Sequence, residues 1–176
     1  MRIAKIMYND TTNGMGINVS LWTQGCPHHC PGCHNPETWS FEGGEEITDL
    51  KSVLVKAINA NGVMRNLSLL GGEPLCPQNI SDMWRLISSI KVIYPNIKIF
   101  CWTGYTLREL QERMEQEPEL KEILKNITFL IDGPFIQEKK DLSLWLRGSS
   151  NQNVYMNIGE DNFKKIDRED YENENF

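Results

Sequence analysis

Three of the chain's five cysteines lie within eight residues of one another, and this cluster limits what the chain can be more than any other feature. Cys26, Cys30 and Cys33 have the spacing C-x3-C-x2-C, which brings three thiolates into one short loop. Such a loop can wrap one cuboidal iron–sulfur cluster, and a [4Fe-4S] cluster normally takes four cysteine ligands. Three nearby cysteines therefore leave one iron open to a substrate with an amine and a carboxylate, unless a distant cysteine binds it.

Shorter motifs within the same segment allow two other interpretations. Cys30-Pro-Gly-Cys33-His34 matches the C-x-x-C-H motif of haem attachment, and Cys30 with Cys33 also matches a redox-active dithiol. Both interpretations leave Cys26 without a role. Haem attachment of this kind also usually accompanies an export signal, which the N-terminal residues do not show.

Two further interpretations use residues outside the three-cysteine motif. A structural zinc site could take His28, His29 or His34 as its fourth ligand, although zinc ligand pairs usually flank a longer loop. An electron carrier would complete its cluster with Cys76 or Cys101, which otherwise read as small buried apolar residues. We favour the cluster with one open iron, and these alternatives remain open at this point.

Composition and charge exclude several classes of partner. The 176 residues are about one domain's length, and 18 basic against 24 acidic residues give a net charge of -6. This balance does not provide the cationic field of a duplex-binding or membrane-binding surface. No apolar run approaches the ~18 residues that span a bilayer. We therefore expect a cytoplasmic protein with neither nucleic acid nor membrane as a direct partner.

The hydrophobic pattern alternates between short strands and amphipathic helices, which predicts an α/β fold with βαβ units and a mostly parallel sheet. Ligands of such sheets gather beyond the carboxyl ends of the strands. Thr106 and Glu109 form a capping box at the start of a helix that Pro118 interrupts. The predicted strands are 1–8, 17–23, 67–70, 97–102, 127–131 and 154–158, and the other predicted helices are 48–59, capped by Thr48, 81–94 and 119–125.

The last 17 residues, 160–176, contain seven acidic and three basic residues and few apolar ones. This composition predicts a flexible, solvated acidic tail, with a docking segment for a partner as the alternative. Residues 1–159 are expected to form the folded domain.

The segment 26–39 (CPHHCPGCHNPETW) is similar to the cluster loop of the radical S-adenosylmethionine superfamily, and in particular resembles the activating proteins of anaerobic ribonucleoside-triphosphate reductases. Four further segments agree with that family in the same order: 71–74 (GGEP), 102–106 (WTGYT), 132–135 (DGPF) and 147–152 (RGSSNQ). The resemblance covers most of the chain up to about residue 158. It implies a radical S-adenosylmethionine activase domain over 1–159.

The resemblance implies a site and a fold. Cys26, Cys30 and Cys33 would hold the cluster, and the protein would form a small open partial (βα) barrel, because the chain is too short for eight units. Many superfamily members have an aromatic residue where this chain has Gly32, and His34 could shield the adenine instead. The residues implied to contact S-adenosylmethionine are His34, Gly71, Gly72, Glu73, Thr103, Gly104, Tyr105 and Asp132, with the Glu73 carboxylate and nearby backbone carbonyls on the amino group.

The resemblance also implies a reaction. The reduced cluster would cleave S-adenosylmethionine, and the resulting 5'-deoxyadenosyl radical would take a hydrogen atom from a glycine of the anaerobic ribonucleoside-triphosphate reductase. No catalytic residue is needed beyond the cluster and the cofactor, and a flavodoxin or ferredoxin-type donor is implied as the source of electrons. An activase for another glycyl-radical enzyme, of the formate-lyase type, and an iron–sulfur electron-transfer protein are the alternatives.

Overall fold

Seven strands, arranged in the order in which they occur along the chain, form one sheet in the computed structural model, which describes residues 1–173. Six of these strands were expected from the sequence, and their ends lie within two residues of the predicted ones. The strands are β1 (Ile3–Asp10), β2 (Asn18–Thr23), β3 (Asn66–Gly71), β4 (Ile99–Trp102), β5 (Phe129–Asp132), β6 (Asn153–Asn157) and β7 (Phe163–Ile166).

The centre of the sheet is parallel and both of its sides are antiparallel. Strands β2, β3, β4 and β5 pair in parallel, whereas β1 pairs with β2, β5 with β6 and β6 with β7 in antiparallel fashion. Every residue of β2 and β5 is buried, as expected of parallel strands covered on both faces. The α/β class is therefore confirmed, and the sheet is mixed because antiparallel hairpins extend the parallel centre at either side.

Five helices lie within the described residues, and none is long and apolar enough to cross a membrane. The predicted capping box is present, since Thr106 and Glu109 exchange side-chain to backbone hydrogen bonds. The N-cap of the first helix lies one residue later than predicted. Asp49, not Thr48, accepts the hydrogen bond from the backbone N–H of Ser52. The helices are α1 (Leu50–Ile58), α2 (Pro77–Ile93), α3 (Leu107–Met114), α4 (Pro118–Asn126) and α5 (Arg168–Asn173).

Two apolar clusters lie on opposite faces of the sheet because side chains alternate along each strand. On β4, Cys101 faces the larger cluster, which α1, α2 and α4 cover, while Phe100 faces the smaller one. In the smaller cluster the rings of Phe100 and Phe129 stack with centroids 4.8 Å apart. The helices thus cover one face of the sheet and hold the strands in place. The loops beyond the carboxyl ends of the strands can therefore form a binding site.

The segment 160–173 contains β7 and α5, which differs from the prediction of a flexible tail. Ile166 is 5% exposed within the smaller apolar cluster. The ring of Tyr171 on α5 lies 5.6 Å from the ring of Trp145. A few well-spaced apolar residues therefore attach this acidic segment to the sheet, and residues 174–176 lie outside the described part of the chain.

Candidate functional site

The cysteine loop leaves the carboxyl end of β2 and is closed at its base by two backbone hydrogen bonds. The N–H of Gly25 donates to the carbonyl of Thr38 at 2.8 Å, and the N–H of Cys26 donates to the carbonyl of Trp39 at 3.0 Å. Gly25 has φ +92, and a Cβ there would overlap the ring of Phe41. A residue with a side chain is therefore excluded at the point where the strand turns into the loop.

The three loop cysteines form a donor set that suits an iron–sulfur cluster. Cys26, Cys30 and Cys33 are free thiols and partly exposed, so a cluster can reach all three. The backbone N–H of Asn35 donates to the Sγ of Cys33 at 3.4 Å, and such N–H groups stabilise a ligating thiolate. Within residues 1–173 no three His, Cys, Asp or Glu side chains are arranged to hold a single metal ion. A cuboidal cluster does not need that convergence, since each thiolate binds a different iron.

Two of these thiols are protonated near neutral pH in the cluster-free chain. Burial, and to a smaller extent the negative charge of Glu73, raises the pKa of Cys26 to about 11. Burial likewise raises the pKa of Cys30. Cluster assembly must therefore displace protons from the loop, which makes metal binding more favourable as the pH rises.

The two remaining cysteines have a different environment. Cys76 and Cys101 are both fully buried, and burial raises the pKa of Cys76 to about 11 and that of Cys101 well above its ordinary value. Cys101 belongs to the larger apolar cluster, and Cys76 is the cap residue that precedes α2. These positions are typical of cysteines that pack as small apolar residues.

Glu73 is a buried carboxylate that joins three loops. It is 1% exposed, and each of its oxygens accepts two hydrogen bonds. Oε1 accepts from the N–H of Leu75 at 2.9 Å and from the hydroxyl of Thr103 at 2.8 Å. Oε2 accepts from the N–H of Gly104 at 2.7 Å and from Nε2 of His28 at 3.0 Å. A carboxylate with four donors has all of its acceptor directions in use.

The glycine pair before Glu73 allows its loop to contact the cysteine loop closely. Gly71 has φ +99, and a Cβ there would lie 2.7 Å from Cα of Trp22. A Cβ on Gly72 would overlap the carbonyl oxygen of Gly25. The N–H of Glu73 donates to that same carbonyl at 2.8 Å. Gly72 is therefore required by backbone contact between the two loops, and Gly71 by its close approach to the backbone of β2.

Tyr105 covers the outer side of this assembly. The Tyr105 ring lies edge-on to the imidazole of His28, with centroids 4.5 Å apart. The guanidinium of Arg113, a residue of α3, lies 4.6 Å from the centroid of the Tyr105 ring. Burial, followed by the negative charge of Glu73, raises the pKa of the Tyr105 hydroxyl. The phenol is thus neutral at physiological pH.

Asp132, at the end of β5, is occupied by contacts within the protein. It is 2% exposed, and its Oδ2 accepts from the N–H of Leu107 at the start of α3 at 2.8 Å. Its Oδ1 accepts from the backbone and side chain of Asn153 at 3.1 and 3.0 Å. Next to it, the amide of Gln152 donates to the carbonyl of Gly133 at 2.9 Å, which ties segment 147–152 to the loop after β5.

A cavity of about 390 Å³ lies beside the third cysteine, beyond the carboxyl ends of β3 and β4. Of the residues implied to contact S-adenosylmethionine, His34 and Gly71 line this cavity, and so does Cys33. The ring of His34 lies 5.2 Å from that of Phe135, another lining residue. Four other implied residues do not line it and gather with His28 instead: Glu73, Thr103, Gly104 and Tyr105.

One wall of the cavity, the turn at Thr12 and Asn13, was missed by sequence reasoning. The turn is held by Asp10, which is 2% exposed. Although burial opposes ionisation, hydrogen bonds from Asn13, Ser20 and Thr12 hold the pKa of Asp10 well below its usual range. An Asp followed at two and three residues by Thr and Asn is a turn signal that could have located this wall.

The opposite wall, also missed, comes from residues 142–146. Leu142, Leu144 and Leu146 line the cavity, and Leu142 is 72% exposed. The carbonyl of Leu146, which has φ +58, accepts from the indole N–H of Trp102 at 2.8 Å. In residues 141–146 (DLSLWL) every second residue is leucine, and this alternation could have predicted that one side of the segment forms an apolar surface.

Comparison with known proteins agrees with these features. Residues 12–155 match the profile of the 4Fe-4S single cluster domain family. The anaerobic ribonucleoside-triphosphate reductase-activating protein of Escherichia coli (strain K12) is 40% identical over 148 residues, covering 83% of this chain and 92% of the relative. The proteins of that name from Vibrio cholerae and Enterobacteria phage T4 are 38% identical over 155 residues, covering 83% and 92%, and 34% identical over 162 residues, covering 89% and 95%. The chain therefore belongs to the family of anaerobic ribonucleoside-triphosphate reductase-activating proteins, which carry a [4Fe-4S] cluster.

Proposed function

We propose that this chain uses S-adenosylmethionine to generate a glycyl radical on an anaerobic ribonucleoside-triphosphate reductase. The observation that carries the proposal is a three-cysteine loop whose last cysteine borders a cavity at the carboxyl ends of parallel strands. The relatives that match over most of the chain are named for activating that reductase. The partial barrel expected for such an activase is part of the same proposal.

Cys26, Cys30 and Cys33 are the proposed cluster ligands. Their partial exposure on one loop, and the N–H of Asn35 that donates to the sulfur of Cys33, fit a cluster bound through three irons. When the cluster and S-adenosylmethionine are bound, they supply a one-electron cleavage of the sulfonium that produces a hydrogen-abstracting radical. The chain itself then needs to bind, orient and shield the reacting groups.

The cofactor is proposed to bind across the strand ends. His34, with Phe135 beside it, provides a ring against which the adenine can pack, and Gly71 allows the backbone of β3 to approach the ligand. Gly72, Thr103, Gly104, Tyr105 and Asp132 complete the proposed set; the buried polar groups among them fix the loops that shape the cavity. Glu73 belongs to the set as the carboxylate on which these loops converge.

The apolar wall at residues 142–146 is proposed to exclude water from the reacting centre. Leu144 and Leu146 face the cavity, and Leu142 extends the same surface outward. Radical chemistry benefits from such exclusion because side reactions with solvent are suppressed. The glycine of the reductase would enter from this open side, and a flavodoxin or ferredoxin-type protein is proposed as the electron donor.

The test is to mix the reconstituted protein with reductant, S-adenosylmethionine and the anaerobic reductase. We expect 5'-deoxyadenosine and a glycyl radical detected by electron paramagnetic resonance, with deuterium at the target glycine appearing in 5'-deoxyadenosine. Radical formation on a formate-lyase type enzyme and never on the reductase would overturn the assigned partner. Absence of cofactor cleavage despite a full complement of iron and sulfide would overturn the activity and favour an electron-transfer protein.

A further inference from the structure

We propose that His28 is a positioning residue that holds the cysteine loop against the ends of β3 and β4 through its hydrogen bond to Glu73. The proposal deepens the proposed function, because it rests on the cysteine loop being the cluster site. Neither His28 nor Glu73 is given a place among the cluster ligands. What they supply is a fixed position for the loop that carries those ligands.

The imidazole of His28 is enclosed on several sides. Its side chain is 18% exposed, whereas the neighbouring Pro27 and His29 are exposed. Its Nε2 lies 3.0 Å from Oε2 of Glu73, and its ring meets the ring of Tyr105 edge-on at 4.5 Å. A Cβ on Gly104 would overlap the imidazole, so this glycine leaves the space that the ring fills.

The direction of the hydrogen bond follows from the chemistry of its acceptor. A carboxylate oxygen only accepts, so Nε2 of His28 carries the hydrogen and donates it to Glu73. Backbone N–H groups and the Thr103 hydroxyl use the other three acceptor directions of this carboxylate. Without His28, Oε2 of Glu73 would lose one of its two donors. Such a loss is costly because the Glu73 carboxylate is only 1% exposed.

The contact joins parts of the chain that are far apart in sequence. His28 lies 45 residues before Glu73, and Thr103 lies 30 residues after Glu73. The loop itself turns through two left-handed residues, His29 with φ +48 and Gly32 with φ +72, and so has little regular structure of its own. The hydrogen bond of His28 therefore holds the middle of the loop, between Cys26 and Cys30, in addition to the backbone hydrogen bonds that close its base.

The Glu73 carboxylate keeps three segments of the chain together. These are the loop after β3, the cysteine loop and the Thr103–Tyr105 turn.

The experiment compares His28→Asn, His28→Gln and the adjacent control His29→Asn. Asn is too short to reach Glu73, whereas the Gln amide can place an N–H donor near the position of Nε2. His29→Asn changes an exposed histidine in the same loop and retains a residue that tolerates positive φ. It removes the ring contact of His29 with Trp39, 5.0 Å between centroids, and leaves the contact with Glu73 in place. Each variant is measured as reconstituted protein and as cluster-free protein.

Two readouts do not depend on the reaction. Iron release to an anaerobic chelator should be about tenfold faster for His28→Asn, since a hydrogen bond to a buried charge is lost. Hydrogen exchange of cluster-free His28→Asn should increase in residues 25–34 and 103–105. His28→Gln should restore most of both properties, and His29→Asn should match the unmodified chain.

Combining His28→Asn with Glu73→Gln tests whether both residues act through one contact. If they do, the double variant should release iron no faster than the faster single variant, because their effects are not additive. Multiplicative effects would contradict the shared contact.

Two results would overturn the proposal. One is iron release and loop exchange within twofold of the unmodified chain in His28→Asn. The other is tighter S-adenosylmethionine binding by His28→Asn with an unchanged cluster, which would make His28 a stand-in that the ligand amine displaces. Both outcomes are distinct from failure of the proposed function, which is decided by the unmodified chain acting on the reductase.

Discussion

Replacing Asp10 with Asn tests whether one wall of the cavity depends on a buried charge. Asp10 ends β1, and its carboxylate holds the turn that carries Thr12 and Asn13 to the cavity. Asn has nearly the same size and shape as Asp, so the change removes the charge without creating a void. The expected result is a destabilised protein in which this turn is looser.

The magnitude follows from the donors around the carboxylate. Oδ1 accepts from the N–H and hydroxyl of Thr12 at 2.8 and 2.7 Å and from the N–H of Asn13 at 3.2 Å. Oδ2 accepts from the Asn13 amide and the Ser20 hydroxyl, both at 2.7 Å. The side chain of Asn has one carbonyl oxygen, which can accept the hydrogen bonds made to Oδ1 or those made to Oδ2. Its NH2 group then faces the donors on the other side and cannot accept from them. Because Ser20 can rotate its hydroxyl and the Asn13 side chain can turn to water, we expect a loss of about 2 kcal/mol.

The assay is urea unfolding of the cluster-free protein at neutral and acid pH. The pKa of Asp10 lies below its usual range, so its contribution is fully present above the unfolded-state value of about 3.9. That contribution is lost as the pH falls from there through the folded-state pKa. The difference in unfolding free energy between the two proteins should therefore shrink between pH 7 and about pH 3.

Asp49→Asn is the matched control, because it makes the same chemical change at the exposed cap of α1. Asn caps a helix about as well as Asp, so little change is expected. Equal effects of the two substitutions, or a difference for Asp10→Asn that stays constant down to pH 3, would refute the assignment of this stability to the buried charge.

Three further predictions concern the loops, the last strand and the cysteines. Gly72→Ala should sharply reduce iron bound after reconstitution, because its Cβ would overlap the carbonyl of Gly25; a normal iron content would contradict the close contact of the two loops. Deletion of 160–176 should lower the unfolding free energy by about 2–4 kcal/mol, since it removes buried Ile166 and exposes the apolar residues that pack against it. Unchanged stability in urea would support the prediction of a solvated tail. Cys101→Ala should leave iron content and cofactor cleavage intact, and loss of the cluster would favour a fourth cysteine ligand.

The central part of the fold could be predicted because its signals are local. Strand β2 alternates apolar residues on one face, and β3 is a short apolar run that ends at a glycine pair. The capping box at Thr106 and Glu109 fixes the start of α3 within four residues of sequence. Such patterns require no knowledge of what packs against them.

The end of the chain could not be predicted in the same way. Residues 160–173 are dominated by charge, and Ile166 alone is deeply buried there. Its burial depends on pairing of β7 with β6, and on a sheet face built by Phe100 and Phe129. Phe163, Ile166 and Tyr171 are too scattered in this acidic segment to give a periodic signal, so tertiary packing decides its structure.

The candidate site likewise has a part that the sequence predicts and a part that it does not. The three cysteines can be recognised from spacing, because ligand chemistry is a property of residue type and of short loops. The role of Glu73 in joining the surrounding loops cannot be recognised in this way, since two of its donors lie 45 and 30 positions away in the sequence. Residue identity therefore shows what the site can bind, and long-range hydrogen bonding determines how its loops are held.

Asp10 and Glu73 solve the same physical problem at two places around the strand ends. Loops that leave a sheet, here after the antiparallel strand β1 and the parallel strand β3, carry backbone N–H groups that no neighbouring strand pairs. A buried carboxylate accepts several of them at once. Each carboxylate is 1–2% exposed and fully supplied with donors from within the chain. Donors from the chain itself therefore hold these loops in place, and loops held in this way lose less conformational entropy when a ligand binds. Chemistry that demands exact placement of a reacting atom depends on such internal contacts.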